Sequence, residues 1–301
     1  MTEENSPIPS AGEVIGPDFI AIGPPRTGTS WLFQVLNSQP SCMFFPVKEI
    51  NYFCIHIEKT KSRLAERLLL LDARNSEHNY HKSIYEKILR SNGSIADYMQ
   101  IFRRPKGKIV GDISPYYFDA VSKKDMEKIR FIINDKNIPI IITLRDPVMH
   151  AMSWLKHLNK MRVIPVEEFS KDWSDIIWDE FLAWSARMTY AHHFKRWKEA
   201  AGNNLRVFHF EEILQAPAGY LKSIGKEIGI DITLSDADIS NLSIKVNGSP
   251  ELALRPRLVS AIAAALTPEI NAFARMVPAE ITEKWYETAR LAQATPEALI
   301  E

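Results

Sequence analysis

The chain has 301 residues, 46% of them hydrophobic, and 37 Lys+Arg balance 37 Asp+Glu for a formal net charge of zero. That size and apolar content suit one large core or a main domain with a helical appendage. The neutral total argues against nucleic acid, an anionic membrane or a heavily sulfated polymer as the main partner, and Cys42 and Cys54 stand without metal-ligand company, so neither a disulfide framework nor a zinc site is expected.

In chain order, residues 1–17 begin polar, acidic and proline-containing, and read as a disordered lead-in rather than a signal peptide or anchor. Residues 18–301 read as a single domain. Phe19–Ile22 predicts a buried strand, a tight Gly/Pro loop follows, and a helix opens at Thr29-Ser30 with Trp31, Leu32, Val35 and Leu36 as its apolar face. A strand, a glycine loop and a helix N-terminus together make an anion site, to which Arg26 adds a planar donor fork. The spacing Gly23-x4-Gly28 matches the front half of the G-x-x-x-x-G-K-[ST] phosphate loop, but Thr29 stands where the lysine would be. The loop therefore holds a phosphate-like group without the residue that grips a transferring γ-phosphate.

Cys42–Phe45, Lys108–Gly111, Ile138–Leu144 and Leu205–Phe210 read as further buried strands. With Phe19–Ile22 they predict an α/β fold with a five-stranded parallel, P-loop-like sheet flanked by helices. Ligands of such sheets sit beyond the carboxyl ends of the strands. Arg26, Glu49, Asp112 with Ser114, and Arg145 fall there in turn, which predicts one composite site. Residues 59–103 predict a helical insertion, Trp173, Trp178, Trp184 and Trp197 are expected in helical core packing, and 250–301 predicts a helical tail. The longest near-continuous apolar run, Ile138–Leu144, is strand-sized, so no membrane span is expected and a cytoplasmic location is.

Pro24-Pro25-Arg26-Thr27-Gly28-Thr29-Ser30-Trp31-Leu32 resembles the 5′-phosphosulfate loop of sulfotransferases that use 3′-phosphoadenosine 5′-phosphosulfate (PAPS). Lys48-Glu49-Ile50-Asn51-Tyr52-Phe53 resembles the Lys-Glu-x-x-x-Phe segment of the heparan-sulfate and glycan branch, where the Glu is the catalytic base. Val110-Gly111-Asp112-Ile113-Ser114-Pro115-Tyr116-Tyr117-Phe118 resembles the family's Gly-Glu-x-Ser-Pro-x-Tyr segment. Leu144-Arg145-Asp146-Pro147-Val148 through Ser153-Trp154 resembles its 3′-phosphate motif. Tyr190, Arg196-Trp197 and Val207 to Glu212 follow in the family's order, so the resemblance spans about residues 18 to 230. His150 stands where many relatives carry Arg, and Ile113 where a Lys often precedes the Ser-Pro pair. Lys245 to Ser249 is the only candidate for the C-terminal loop that closes on the cofactor.

The resemblance implies sulfuryl transfer from PAPS, leaving 3′,5′-adenosine bisphosphate, with no metal required. Arg26 would meet the bridging and sulfuryl oxygens, while Thr27, Gly28, Thr29, Ser30 and Trp31 would hold the 5′-phosphate. Arg145 and Ser153 would read the 3′-phosphate. Glu49 would take the proton that an alcohol or amine sheds as it attacks; it could instead pair with Lys48 or cap a helix near Asn51. His56 is the alternative base. The acceptor is expected to be a small metabolite or a glycan intermediate. The rival reading is a nucleoside-triphosphate-dependent kinase, with Asp112 at a magnesium-binding strand end.

Overall fold

Runs of isoleucine make the centre of the sheet, and their alternation divides the core in two. The computed structural model describes residues 13–44, 47–71, 76–233, 248 and 250–299. Within these residues the strands are β1 (Glu13–Val14), β2 (Phe19–Ala21), β3 (Arg104–Pro105), β4 (Gly111–Ile113), β5 (Ile140–Leu144) and β6 (Leu205–His209). β1 and β3 pair antiparallel as a small ribbon, and the main sheet runs β4-β2-β5-β6 with every pairing parallel. Register sets Phe19 opposite Gly111, Ile20 opposite Ile140, and Ile140 opposite Leu205.

Successive strand residues face opposite sides. Phe19, Ala21 and Ile141 join the smaller hydrophobic cluster, while Ile20, Ile22, Ile140 and Ile142 join the larger. The smaller is filled by Trp31, Leu32 and Leu36 of α1 (Thr29–Asn37) and by Tyr220, Leu221 and Ile224 of α11 (Pro217–Ile228). The larger gathers apolar faces from α6 (Lys123–Lys136), α7 (Pro147–Lys160), α9 (Tyr190–Ala201), α12 (Pro256–Ala274) and α13 (Ala279–Ala294). Covering on both faces explains why β5 is apolar almost throughout and buried at every position.

Residues between β2 and β4 contribute α2 (Ile57–Leu68), α3 (Ser76–Arg90) and α4 (Ile95–Ile101), whose Leu64, Ile84, Ile88, Tyr98 and Ile101 enter the larger cluster. Short α5 (Tyr117–Ala120) follows β4, α8 (Asp175–Arg187) precedes α9, and α10 (Phe210–Gln215) follows β6. Of the four tryptophans expected in packing roles, Trp184 and Trp197 are buried, and Trp173 and Trp178 pack at the edge of the larger cluster. No described helix is long and apolar enough to cross a membrane.

Three strand expectations change, the first being that Leu205–Phe210 is not fully buried: β6 ends at His209 and, as an edge strand, is half-buried everywhere but Phe208. Among the described residues the main sheet has four strands, because Cys42 to Phe44 contributes only a parallel bridge from Cys42 to Ile109, and Phe45 lies outside the described residues. Phe44 there packs edge-on against Phe19 and Phe33, making it a flank of the smaller core. The expected strand Lys108–Gly111 begins instead at Gly111, since the Val110 N–H is taken by the Asp18 carboxylate at 2.8 Å. Asp112 consequently lies inside a strand.

Gly111 is fixed by its partner across the sheet. A Cβ there would fall 2.2 Å from a carbon of the Phe19 ring, which lies over the strand. Gly111→Ala should therefore cost about 1–3 kcal/mol through overpacking, read as a lower urea midpoint. An unchanged midpoint would mean that the ring does not pack there.

Candidate functional site

β2 ends at Ala21, the Ile22 N–H still bonds to Ile141 at 2.9 Å, and the chain then turns sharply into α1. Gly23 sits so close to β5 that a Cβ would lie 2.9 Å from the Thr143 carbonyl oxygen. Thr27 closes the turn by donating its hydroxyl to the Pro24 carbonyl at 2.7 Å. Arg26 (φ 76°) and Gly28 (φ 86°) are left-handed, and Thr27 between them is not. Alternating handedness of this kind curls successive N–H groups into an anion-binding concavity. Gly28 is also the N-cap of α1 and supplies no side-chain acceptor, so the positive end of the helix dipole faces the loop. Of the expected loop residues, Thr27 and Thr29 are buried, and Ser30 is half-buried on the first turn. The Trp31 indole turns into the smaller core against Tyr220, ring centroids 6.0 Å apart, so its contact with a ligand would be through its backbone.

The loop's carbonyls are held from behind. Arg145, following β5, donates Nη1–H to the Arg26 carbonyl at 3.0 Å, and its guanidinium lies 4.3 Å over the Phe210 ring. Its Nε is buried with no hydrogen-bond partner among the described residues. Burial makes this cation harder to keep charged, with the Glu211 charge acting most in its favour. His150 of α7 contacts the Pro25 carbonyl through Nε2 and the Tyr190 hydroxyl through Nδ1, both at 2.6 Å. A carbonyl only accepts, so the ring proton sits on Nε2 and Tyr190 donates to Nδ1. Burial, then the charge of Arg145, pushes His150 from its ordinary 6.5 down to about 3, so the ring is neutral. Asp146 caps α7, its Oδ1 accepting from the Val148 and Met149 amides at 2.9 and 3.1 Å. Pro147 at the first helical position and this cap start α7 directly after Arg145. Ser153, 7% exposed, is on the second turn of the same helix.

Glu49 lies in the connection between the Cys42 bridge and α2. Its carboxylate pairs with Lys48, one of the sequence alternatives, whereas no helix starts near Asn51. Glu49 (φ 65°) and Asn51 (φ 56°) both adopt the left-handed region, which few residues other than glycine occupy without support. The Asn51 N–H donates to Ser114 Oγ at 3.0 Å, and the Ser114 hydroxyl donates to Asp112 Oδ1 at 2.6 Å. Tyr98 and Tyr117 hydroxyls donate to the other Asp112 oxygen at 3.0 and 2.9 Å. Burial raises the Asp112 carboxyl to about 6, against these hydrogen bonds. Asp112 is 1% exposed and surrounded by three hydroxyl donors, so the kinase reading loses its open strand-end carboxylate.

His56 precedes α2 and packs on the Tyr116 ring at 4.3 Å, its pKa lowered by burial and by the Arg187 charge, with Glu49 acting the other way. Arg187, ending α8, bonds through Nε to Asp119 at 3.1 Å and lies 5.2 Å over Trp154. The structure thus joins Arg145 to the Arg26 carbonyl and His150 to the Pro25 carbonyl, and ties the Glu49 loop to β4. Sequence reasoning did not single out Asn51 as a site residue, nor Tyr98, Tyr117 or Arg187. A polar side chain such as Asn51 following a suspected base was the available signal. Of the candidate loop Lys245 to Ser249, all but Gly248 lies outside the described residues.

The neutral His150 yields a pH prediction. The unfolded chain protonates this imidazole below its ordinary 6.5, and the folded protein resists doing so until about 3. Its contribution to stability is therefore intact above pH 6.5 and lost progressively as pH falls toward 3. His150→Phe removes two buried hydrogen bonds and should cost about 2–4 kcal/mol at pH 7.5. Because Phe does not titrate, that gap should narrow by about 2 kcal/mol at pH 5, measured by urea unfolding of both proteins at both pH values. A gap independent of pH would contradict a neutral buried ring.

A model of the Sulfotransferase family matches residues 17–234. No curated protein matches the sequence. Among solved structures, a sulfotransferase from Alicyclobacillus acidocaldarius superposes with a TM-score of 0.53 at 18% identity, covering 86% of this chain and 95% of that one. Sulfotransferase STF9 from Mycobacterium avium gives 0.50 at 14% identity, over 88% of this chain and 77% of that one. Mouse sulfotransferase SULT7A1 complexed with PAP gives 0.48 at 14% identity, over 91% and 88%. At such identities the two higher-scoring structures show a shared fold. The family model spans well over half of the chain, from before β2 to beyond α11, and takes in the anion loop, Arg145 and the Glu49 connection: the chain belongs to the sulfotransferase family.

Proposed function

We propose that the protein transfers the sulfuryl group of PAPS to a hydroxyl or amine of a small metabolite or glycan intermediate. The observation that carries this is the hydrogen bond from Arg145 to the Arg26 carbonyl, which joins the two anion-reading elements into one surface. A donor with phosphate at both its 3′ and 5′ positions matches that pair. The buried Arg145 Nε without a partner among the described residues fits an anion at this place, since an unmet buried donor is costly.

PAPS supplies the sulfuryl group, and 3′,5′-adenosine bisphosphate is the product that departs. Arg26 stabilises the charge that grows on the bridging oxygen, and the amides and hydroxyls of Thr27, Gly28, Thr29 and Ser30 hold the 5′-phosphate. Arg145 and Ser153 hold the 3′-phosphate. Glu49 accepts the acceptor's proton as attack proceeds. It lies close enough to His56 and Tyr116 for its charge to influence their ionisation, which supports a carboxylate placed near the chain that follows β4. The balanced net charge supports a modest-sized acceptor over a polyanion.

The test is a screen of phenols, aliphatic alcohols, amino sugars and amines with radiolabelled PAPS. Glu49→Gln keeps shape but cannot take a proton, so it should bind 3′,5′-adenosine bisphosphate normally while turnover falls ~10²–10⁴-fold. Retained turnover there, with loss in His56→Ala, would move the base to His56.

Donor choice checks Arg145. Adenosine 5′-phosphosulfate leaves this guanidinium without its anion, so wild type should bind it about 3–5 kcal/mol more weakly than PAPS. Arg145→Ala should lose most of that preference, measured by calorimetry. Equal affinity of the wild type for both donors would remove the 3′-phosphate from the assignment.

A further inference from the structure

Glu49 and Asn51 hold left-handed backbone conformations two residues apart, at φ 65° and 56°. Neither is glycine, and such geometry persists only where surrounding structure holds it. Two hydroxyls supply that hold. The Asn51 N–H reaches Ser114 Oγ at 3.0 Å, and the Phe53 N–H reaches the Tyr117 hydroxyl at 3.3 Å. Each hydroxyl, having accepted from the loop, has one proton left to donate. Ser114 gives its proton to Asp112 Oδ1 at 2.6 Å and Tyr117 gives its own to Oδ2 at 2.9 Å. Both loop amides therefore end on the same carboxylate, and only an acceptor at that point fixes the direction of both chains. On the loop side, Asn51 donates its side-chain amide to the Glu49 carbonyl at 3.1 Å.

The anchor is tied to the anion loop as well. Asp112 lies opposite Ile20 in the β2–β4 pairing, and the Ser114 N–H bonds to the Ala21 carbonyl at 3.0 Å. β2 carries the anion loop directly after Ala21, so the Glu49 connection and that loop are measured from the same strand pair.

We infer that Asp112, acting through Ser114 and Asn51, is the positioning group that sets where the Glu49 carboxylate stands relative to the anion loop. The inference rests on the reading of Glu49 as base. Neither Asp112 nor Ser114 needs to touch the donor or the acceptor. Their effect passes through the backbone of residues 49 to 53.

The test is Ser114→Ala, read in two ways. Amide exchange followed by mass spectrometry should show residues 47–54 exchanging about 10-fold faster, the loss of one hydrogen bond, with α1 and α7 unchanged. Turnover, using whichever acceptor reacts fastest in the radiolabelled screen, should fall about 10–100-fold. Affinity for 3′,5′-adenosine bisphosphate should stay within about twofold, because the donor loop is untouched. Added to Glu49→Gln, Ser114→Ala should cost no further turnover, since a group acting through the base has nothing left to position.

Asn51→Gly serves as the second variant if Ser114→Ala fails to fold. It keeps the backbone N–H and tolerates positive φ, but loses the side-chain bond to Glu49. It should loosen the same segment and lower turnover while sparing nucleotide binding. Unchanged exchange at 47–54, near-wild-type turnover while Glu49→Gln is inactive, or an additive loss in the double variant would each overturn the inference. Full turnover in Glu49→Gln would instead bring down the base assignment, and with it the object that Ser114 positions.

Discussion

Two backbone carbonyls of the anion loop, those of Pro25 and Arg26, are drawn toward the protein interior by His150 and Arg145. A peptide unit whose oxygen is held on one side presents its N–H on the other. Fixing these oxygens therefore aims the loop's donors outward and keeps Arg26 and Gly28 in the left-handed region. The parallel pairing of β2 with β5 makes this possible, since it delivers the anion loop and Arg145 to the same edge of the sheet. α10 completes the support: Phe210 lies beneath the Arg145 guanidinium, and a Cβ on Gly28 would meet Ile213 at 2.6 Å.

The electrostatics of this region bury two guanidinium groups without adding a third charge. Burial lowers the pKa of both Arg26 and Arg145, so each already sits where keeping a charge is expensive. A third guanidinium at position 150 would add to that strain. Neutral imidazole makes the same bridge to the loop with an N–H donor and no charge. Glu211 acts on Arg145 and also accepts the Asp146 amide at 3.0 Å, so the start of α7 and the buried cation share one carboxylate.

On the other side of the sheet's carboxyl edge, the polar interior is built from a carboxylate surrounded by hydroxyls. Asp112 accepts from Tyr98 of the helices preceding β4, from Tyr117 of α5 and from Ser114. Its three donors come from both sides of the strand in sequence, so it joins the 59–103 segment to the sheet as well as to the Glu49 connection. A buried polar network of this kind is costly when partly satisfied and rigid when complete. The Arg187 to Asp119 pair and the His56 to Tyr116 stack then line the ground between the Glu49 loop and α7.

Much of this was legible in the chain. The apolar runs at Phe19 and Ile138 gave strands because residues covered on both faces must be apolar throughout, whereas the run at Leu205 gave a half-buried edge strand that carries Arg206. The tight turn from Gly23 to Gly28 and the helix after it were readable because glycine spacing and a helix start are local features, and the Asp146-Pro147 start of α7 is local too. The sequence could not show that Cys42–Phe45 would pair at one point only, since strand pairing depends on what lies alongside. Nor could it show that Asp112 would be enclosed: the same Gly-Asp pair reads equally well as an open metal-binding strand end, and only Tyr98 and Tyr117, distant from each other in sequence, exclude that. The bonds of Arg145 to the Arg26 carbonyl, His150 to Pro25 and Ser114 to Asn51 join residues 119, 125 and 63 positions apart. Local propensity carries no information over such separations. Which side chain meets which backbone atom was decided by the order in which the parallel strands stack, and that order is a property of the folded sheet alone.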